Sequence, residues 1–300
     1  MRNCWEIRRA VYVVLVLIGA VGCRIEPPNA RSEQEASTRV VTDDLGRSVR
    51  LPQDVERVLS LAPSLTESIY AVGAGDKLVG VTTYCNYPEE ARAKEKVGDT
   101  QTPNIERIVA LKPDIVFVST ASQLEAFMQT LEQQNIAVYV MDAKDVDDAI
   151  NDLQTLGEIL GMTDTADELA SALDGRVKEV ADRKRQATPP KVFVQISNEP
   201  LFTIGRESFV TKLIATAGGE SVTKDVPSAY PKLSKETASA MNPEVIILSD
   251  SEDNREPNSV FKNSDAVKNG RVYRINADII SRPGPRLVDA LEQIAEFLHK

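Results

Sequence analysis

Seven short, largely apolar runs constrain what this chain can fold into: Val58 to Ala62, Leu78 to Thr82, Ile115 to Ser119, Ala137 to Met141, Val192 to Ile196, Val245 to Ser249 and Val272 to Ile275. A strand that is apolar on both sides has to be covered on both faces, which is the condition of a parallel sheet sandwiched between helices. Most of the runs are separated by segments with helical spacing, such as Val146, Ile150, Leu153, Leu156 and Leu160. The pattern predicts an α/β protein whose mainly parallel sheets are flanked by helices. Ahead of the first run, VVTDDLGRSVRLP at 40 to 52 reads as a hairpin turning at Asp44, Leu45 and Gly46.

The segment from Thr163 to Arg185 stands apart, with Ala166, Leu169, Leu173, Val177 and Val180 at steps of three and four, Thr163 as a cap, and Pro189 and Pro190 as a stop. It predicts one helix of roughly 34 Å, long enough to bridge two halves of the chain. An internal echo supports that division. IERIVALKPDIVFVS at 105 to 119 and KETASAMNPEVIILS at 235 to 249 share a helix, a Pro, an acid and a buried strand, with Glu106, Ala110, Pro113 and Ser119 aligned on Glu236, Ala240, Pro243 and Ser249. The expected organisation is an N-terminal lobe over 40–161, a connecting helix over 162–188 and a C-terminal lobe over 189–300, with a ligand cleft between the lobes.

Several chemistries lack raw material. The single histidine, His299, is the penultimate residue, so neither a His-based triad nor a multi-histidine metal site is expected. A net charge of -10 without a basic patch argues against nucleic acid. Gly73, Gly75 and Gly80 have the wrong spacing for a dinucleotide fingerprint and follow a helical stretch, Thr66 to Val72, so they read as a helix end and turn. There is no GxSxG elbow, P-loop or Cys pair, and no pair of carboxylates is marked out for acid and base work. No catalytic residue, metal site or cofactor is expected.

Arg2, Arg8 and Arg9 precede an apolar or small run from Ala10 to Gly22, which reads as a signal peptide over 1–22. Ala20, Val21 and Gly22 before Cys23 resemble the lipobox of bacterial lipoproteins, and the resemblance implies cleavage before Cys23 and acylation of its thiol. Residues 23–39 read as a polar, lipid-anchored tether. The processed chain would carry 32 basic and 44 acidic side chains, a charge of -12, with Cys85 as its one free thiol and no disulfide within the chain.

VLSLAPSLTESIYAVGAGDKLVGVTTYCNYP at 58 to 88 and VGDTQTPNIERIVALKPDIV at 97 to 116 resemble the substrate-binding proteins of ABC importers for cobalamin, haem and ferric siderophores. The match continues through FTIGRES at 202 to 208, AGGES at 217 to 221 and NADIISRPGPRLVDAL at 276 to 291, and is strongest to the corrinoid binders. The resemblance implies an extracytoplasmic, membrane-anchored receptor that delivers a corrinoid to an ABC permease and its ATPase, acts as a monomer and catalyses nothing. It implies ligand contacts at Tyr84, Thr100, Phe202, Tyr230, Asp278 and Arg282. Aromatic walls suit a broad macrocycle, and a few donors and acceptors suit its amide rim and phosphate. Relatives often place Trp in this cleft; here Thr100 and Tyr230 stand at two such positions, and Trp5 belongs to the signal. Read without the resemblance, Asp278 and Arg282 are equally a surface ion pair. Glu106 and Glu220 match acidic knobs that relatives dock on permease arginines, although Glu106 also suits the first turn of a helix capped by Asn104. The other readings are a ferric siderophore or haem receptor of the same fold, with Arg282 and Arg286 as cations for a siderophore, and a secreted hydrolase.

Overall fold

The computed structural model describes residues 37–120, 125–183 and 188–299. The signal peptide, Cys23 and most of the tether lie outside these residues. The described chain starts in a hairpin, β1 (Thr38–Thr42) paired antiparallel with β2 (Ser48–Pro52). The tether expected over 23–39 therefore gives way to a strand two residues earlier than the polar sequence suggested. Arg39 donates to the carbonyls of Glu158 (3.2 Å) and Ile159 (2.5 Å), the last-turn acceptors of a helix that otherwise lack partners.

The first lobe holds β3 (Val58–Ser60), α1 (Pro63–Ala71), β4 (Leu78–Val81), α2 (Ile105–Leu111), β5 (Ile115–Ser119), α3 (Glu125–Gln133), β6 (Ala137–Met141) and α4 (Val146–Leu160). Its four strands run parallel in the order β4-β3-β5-β6. After α5 (Thr163–Arg183), the second lobe holds β7 (Lys191–Ser197), β8 (Phe202–Thr203), α6 (Phe209–Thr216), β9 (Glu220–Ser221), α7 (Lys235–Ser239), β10 (Val245–Asp250), α8 (Asp265–Lys268), β11 (Val272–Asn276), α9 (Ala277–Ser281) and α10 (Leu287–His299). Its sheet runs β11-β10-β7-β8 with β9 also on β7, and only the β7–β8 pair is antiparallel. All seven apolar runs are strands.

The alternation within those strands explains the layering. Ile115 and Phe117 of β5 and Val245 and Ile247 of β10 face one large core, while Val116, Val118, Ile246 and Leu248 face two smaller clusters on the outer sides. The large core is common to both lobes. It runs from Val58 and Leu65 through Leu153 and Leu156 of α4 and Leu173 and Val177 of α5 to Val194, Leu291 and Ile294.

The connecting helix, α5, spans about 31 Å. It begins at Thr163, with Ala166 N–H donating to Met162 O, so Thr163 lies inside the first turn and not at the cap. Ala166, Leu173, Val177 and Val180 are buried as the spacing predicts, and Leu169 packs at the core margin. α5 lies on α4 from one lobe and α10 from the other. Gly157 permits the tight α4 approach, since a Cβ there would sit 2.4 Å from Ala166 Cβ. On the other side, Arg176 holds Asp289 at 2.6 Å and Glu292 at 2.7 and 2.9 Å.

The sequence echo is a structural repeat. Lys112 and Asn242, each just before the shared Pro, both take positive φ, at 46° and 39°. Each following acid then reaches the strand beside it. Asp114 accepts from Glu56 N and Arg57 N ahead of β3, and Glu244 accepts from Lys191 N at the start of β7.

Candidate functional site between the lobes

Parallel strands bring their carboxyl ends, and the loops that follow them, to one edge of each sheet. β4 ends at Val81 and feeds the loop that carries Tyr84, Asn86 and Tyr87. That loop is pinned from within. Cys85 is buried between the hydroxyls of Thr66 (3.1 Å) and Thr82 (3.2 Å), and the Lys96 ammonium donates to the carbonyls of Cys85 (3.2 Å) and Ala91 (2.9 Å). Burial pulls the Lys96 ammonium below its usual pKa. With Cys85 turned inward, Tyr84 and Tyr87 are turned out, 57% and 47% exposed. Thr100 sits in the adjoining loop, joined to this one by Thr83 N donating to Gly98 O at 2.9 Å, and is half-buried.

In the second lobe Asp278 and Arg282 lie on and just past α9, which follows β11 directly and is capped by Asn276. Phe202 is on β8 at the carboxyl end of β7. The chain near Tyr230 runs beside it, with Thr203 N donating to Pro231 O and Phe202 bridged to Lys232. Tyr230 is 42% exposed, and the burial of its hydroxyl raises its pKa. Phe202 and Asp278 thus belong to the same edge of one sheet, where β8 and β11, the strand that leads to Asp278, are three strand spacings or about 14 Å apart.

Asp278 and Arg282 pair at 2.6 Å, the ion pair that the residues alone allow. The structure adds three partners that sequence reasoning either missed or gave another role. Arg282 also donates to Glu67 Oε1 and Asn86 Oδ1, both at 2.8 Å, and Asn86 Nδ2 donates to Asp278 Oδ2 at 3.0 Å. Arg286 closes on both Glu67 oxygens at 2.7 and 2.8 Å and stacks over Tyr87 at 4.0 Å from the ring centroid. Burial works against the charge on Arg286, but Glu67 outweighs it and its guanidinium is held above its ordinary value. Glu67 and Asn86 belong to the first lobe, Asp278, Arg282 and Arg286 to the second. The one available signal for Glu67 was that it is the sole charged residue between Arg57 and Asp76.

The junction is tight around this network. A Cβ on Gly284 would lie 3.3 Å from Ser64 O at the start of α1. Farther along, Lys212 of α6 pairs with Asp145, the cap of α4, at 2.9 Å. A pocket of about 550 Å³ opens beside the network, lined by Glu67, Tyr70, Asp76, Tyr87, Glu90 and Arg286 among others. Among the described residues, no three His, Cys, Asp or Glu side chains converge as a metal-binding set.

Glu106 is exposed in the first turn of α2, where Asn104 accepts from Arg107 N, and has no ion-pair partner among the described residues. Glu220 lies on β9 in the other lobe and is paired with Lys224 at 2.6 Å, which holds its carboxyl below the usual range.

Residues 58–279 match the family described as periplasmic binding protein. An uncharacterized ABC transporter substrate-binding lipoprotein, YvrC, of Bacillus subtilis is 27% identical, over 97% of this chain and 95% of that one. A vitamin B12-binding protein of Vibrio cholerae is 30% identical over 82% of this chain and 90% of its own length. The crystal structure of the periplasmic vitamin B12 binding protein BtuF of Vibrio cholerae superposes with a TM-score of 0.73 at 30% identity, covering 82% of this chain and 97% of that one.

Proposed function

This chain belongs to the periplasmic binding protein family, the extracytoplasmic receptors that work with the permease and ATPase of ABC importers, and on that premise we propose that its cargo is a corrinoid, cobalamin above all. The observation that carries the proposal is where apolar surface is left open. Among the described residues the exposed large apolar side chains are Val40 and Leu45 of the hairpin region and three tyrosines, Tyr84, Tyr87 and Tyr230. All three tyrosines lie in loops at the carboxyl-end edges of the sheets. Aromatic faces on both lobes, together with Phe202, Thr100, Asp278 and Arg282, suit a broad, flat ligand rimmed with amides. The vitamin B12-binding relative at 30% identity supports the same cargo.

The receptor binds and releases without catalysing a reaction. Glu106 and Glu220, one on each lobe, dock on cations of the permease, where paired charges set orientation and encounter rate more than affinity. Acylated Cys23 tethers it to the membrane as a monomer.

Calorimetric titration of the fragment beginning after Cys23 with cobalamin, cobinamide, a ferric siderophore and haem tests the cargo. Tight binding of the corrinoids is expected. Tight siderophore binding with none for the corrinoids would overturn the assignment. A siderophore reading of the same fold needs free cations, and both candidate arginines are committed to Glu67.

A further inference from the structure

We propose that Glu67 determines the specificity of the cleft: by neutralising Arg282 and Arg286 from the opposite lobe, it leaves this end of the site without an unpaired arginine and turns away anionic cargo there. The inference rests on the reading of the cleft as a ligand site and deepens it. Two carboxylates, Glu67 and Asp278, balance two guanidiniums, and Asn86 ties the ends together. Side-chain exposure falls inward along this network, from 37% at Asp278 to 12% at Arg282 and 2% at Glu67.

Each arginine is covered in a different way. Arg282 spends its Nη donors on Glu67, Asn86 and Asp278. Arg286 turns Nε and Nη2 to Glu67, and Tyr87 lies across its face. The groups left to an incoming ligand are the Asp278 carboxylate edge and the exposed ring surfaces of Tyr84 and Tyr87. A neutral ligand rimmed with amides finds an acceptor and flat apolar surface there. A carboxylate-bearing ligand meets Asp278 and would be desolvated without a cation in return.

The test uses the full chain in mild detergent, titrated calorimetrically with cyanocobalamin, ferric citrate and haemin at low salt and in about 0.5 M NaCl, where charge effects are largely screened. The wild-type chain is expected to bind both anions weakly. Glu67→Gln keeps the side-chain shape and leaves one uncompensated positive charge, so affinity for ferric citrate and haemin should rise roughly tenfold or more at low salt and fall back at high salt. The double change Glu67→Gln with Arg286→Gln restores neutrality and should abolish the gain. Asp278→Asn removes the same charge at the solvent edge, with a gain of the same sign, and carries the test if Glu67→Gln does not fold.

The proposal is overturned if a folded single variant shows no salt-sensitive gain for the anions, or if the wild-type chain already binds them tightly. A wild-type chain that ignores cyanocobalamin, with the anion gain intact in the variants, would sink the corrinoid reading and leave the role of Glu67 standing.

Discussion

Asp152 sits on α4 with only 8% of its surface exposed and, among the described residues, no hydrogen-bond donor beside its carboxylate. Burial first, then the nearby charges of Asp44, Asp148 and Asp142, push its pKa from 3.8 up to about 7. The native state therefore holds this proton about a thousandfold more tightly than the unfolded chain does, an upper bound of about 4 kcal/mol at 1.4 kcal/mol per tenfold. The sign follows from the raised folded value: the stabilising effect is complete below about pH 4 and is lost as pH rises through about 7. Asp152→Asn mimics the protonated form at every pH. Relative to wild type it should be nearly neutral at pH 4, gain about 1.4 kcal/mol per pH unit above that, and level off beyond pH 7 at a few kcal/mol. Urea unfolding followed by far-UV circular dichroism between pH 4.5 and 8.5 measures the difference directly, and the wild-type curve cancels the other acids. Parallel stability curves for the two proteins would refute the reasoning, because they would mean that Asp152 ionises as readily in the fold as outside it.

Tyr84→Ala removes an exposed ring that supports nothing in the core, so cobalamin affinity should fall about tenfold to a hundredfold with the unfolding midpoint unchanged, as read by calorimetry beside a melt. Replacing Glu106 and Glu220 together with Ala should leave capture intact and block uptake in cells; persistent uptake would end their docking role. Because one core joins both lobes, small-angle scattering with and without cobalamin should register only modest closure, and a large compaction would contradict that expectation.

The strands and the connecting helix were legible because burial on both faces writes itself into consecutive residues. Val245 and Ile247 need one apolar layer, Ile246 and Leu248 another, and no polar spacer is tolerated between them. β8 and β9 were not legible. Two residues carry no period, and these strands exist because β7 offers them partners. Thr38 and Arg39 read as tether because both are polar, while the contact that makes Arg39 structural lies about 120 positions away on α4. The candidate site divides in the same way. Tyr84 and Asp278 were named through the family resemblance, and both lie just past apolar runs that are strands. The partners of Glu67, by contrast, stand 215 and 219 residues along the chain, and Asn86 reaches across 192 to Asp278. Lys224, four residues from Glu220, was within reach of local reading, since such a spacing pairs charges even in a turn.

The shared core also bears on how the site selects. A receptor whose halves swing freely can close on ligands of different shape, and discrimination then rests on the closed state. Here Leu173 and Val177 of α5, together with α10, bind the lobes through buried apolar contact, and Gly284 brings the second lobe within van der Waals range of Ser64. Such an arrangement sets most of the cleft width before a ligand arrives, which lowers the ordering cost of binding and moves discrimination onto the fixed side chains. On the proposed reading, the polarity of those side chains is then decisive. Removing one partner of a buried ion pair costs several kcal/mol, so the balance is held firmly at its inner end, Glu67 with Arg282, and more loosely at Asp278 on the solvent edge. On the proposed reading the shared core sets shape and these four side chains, Glu67, Arg282, Arg286 and Asp278, set charge, so a single charge change at the junction is enough to alter which cargo is admitted.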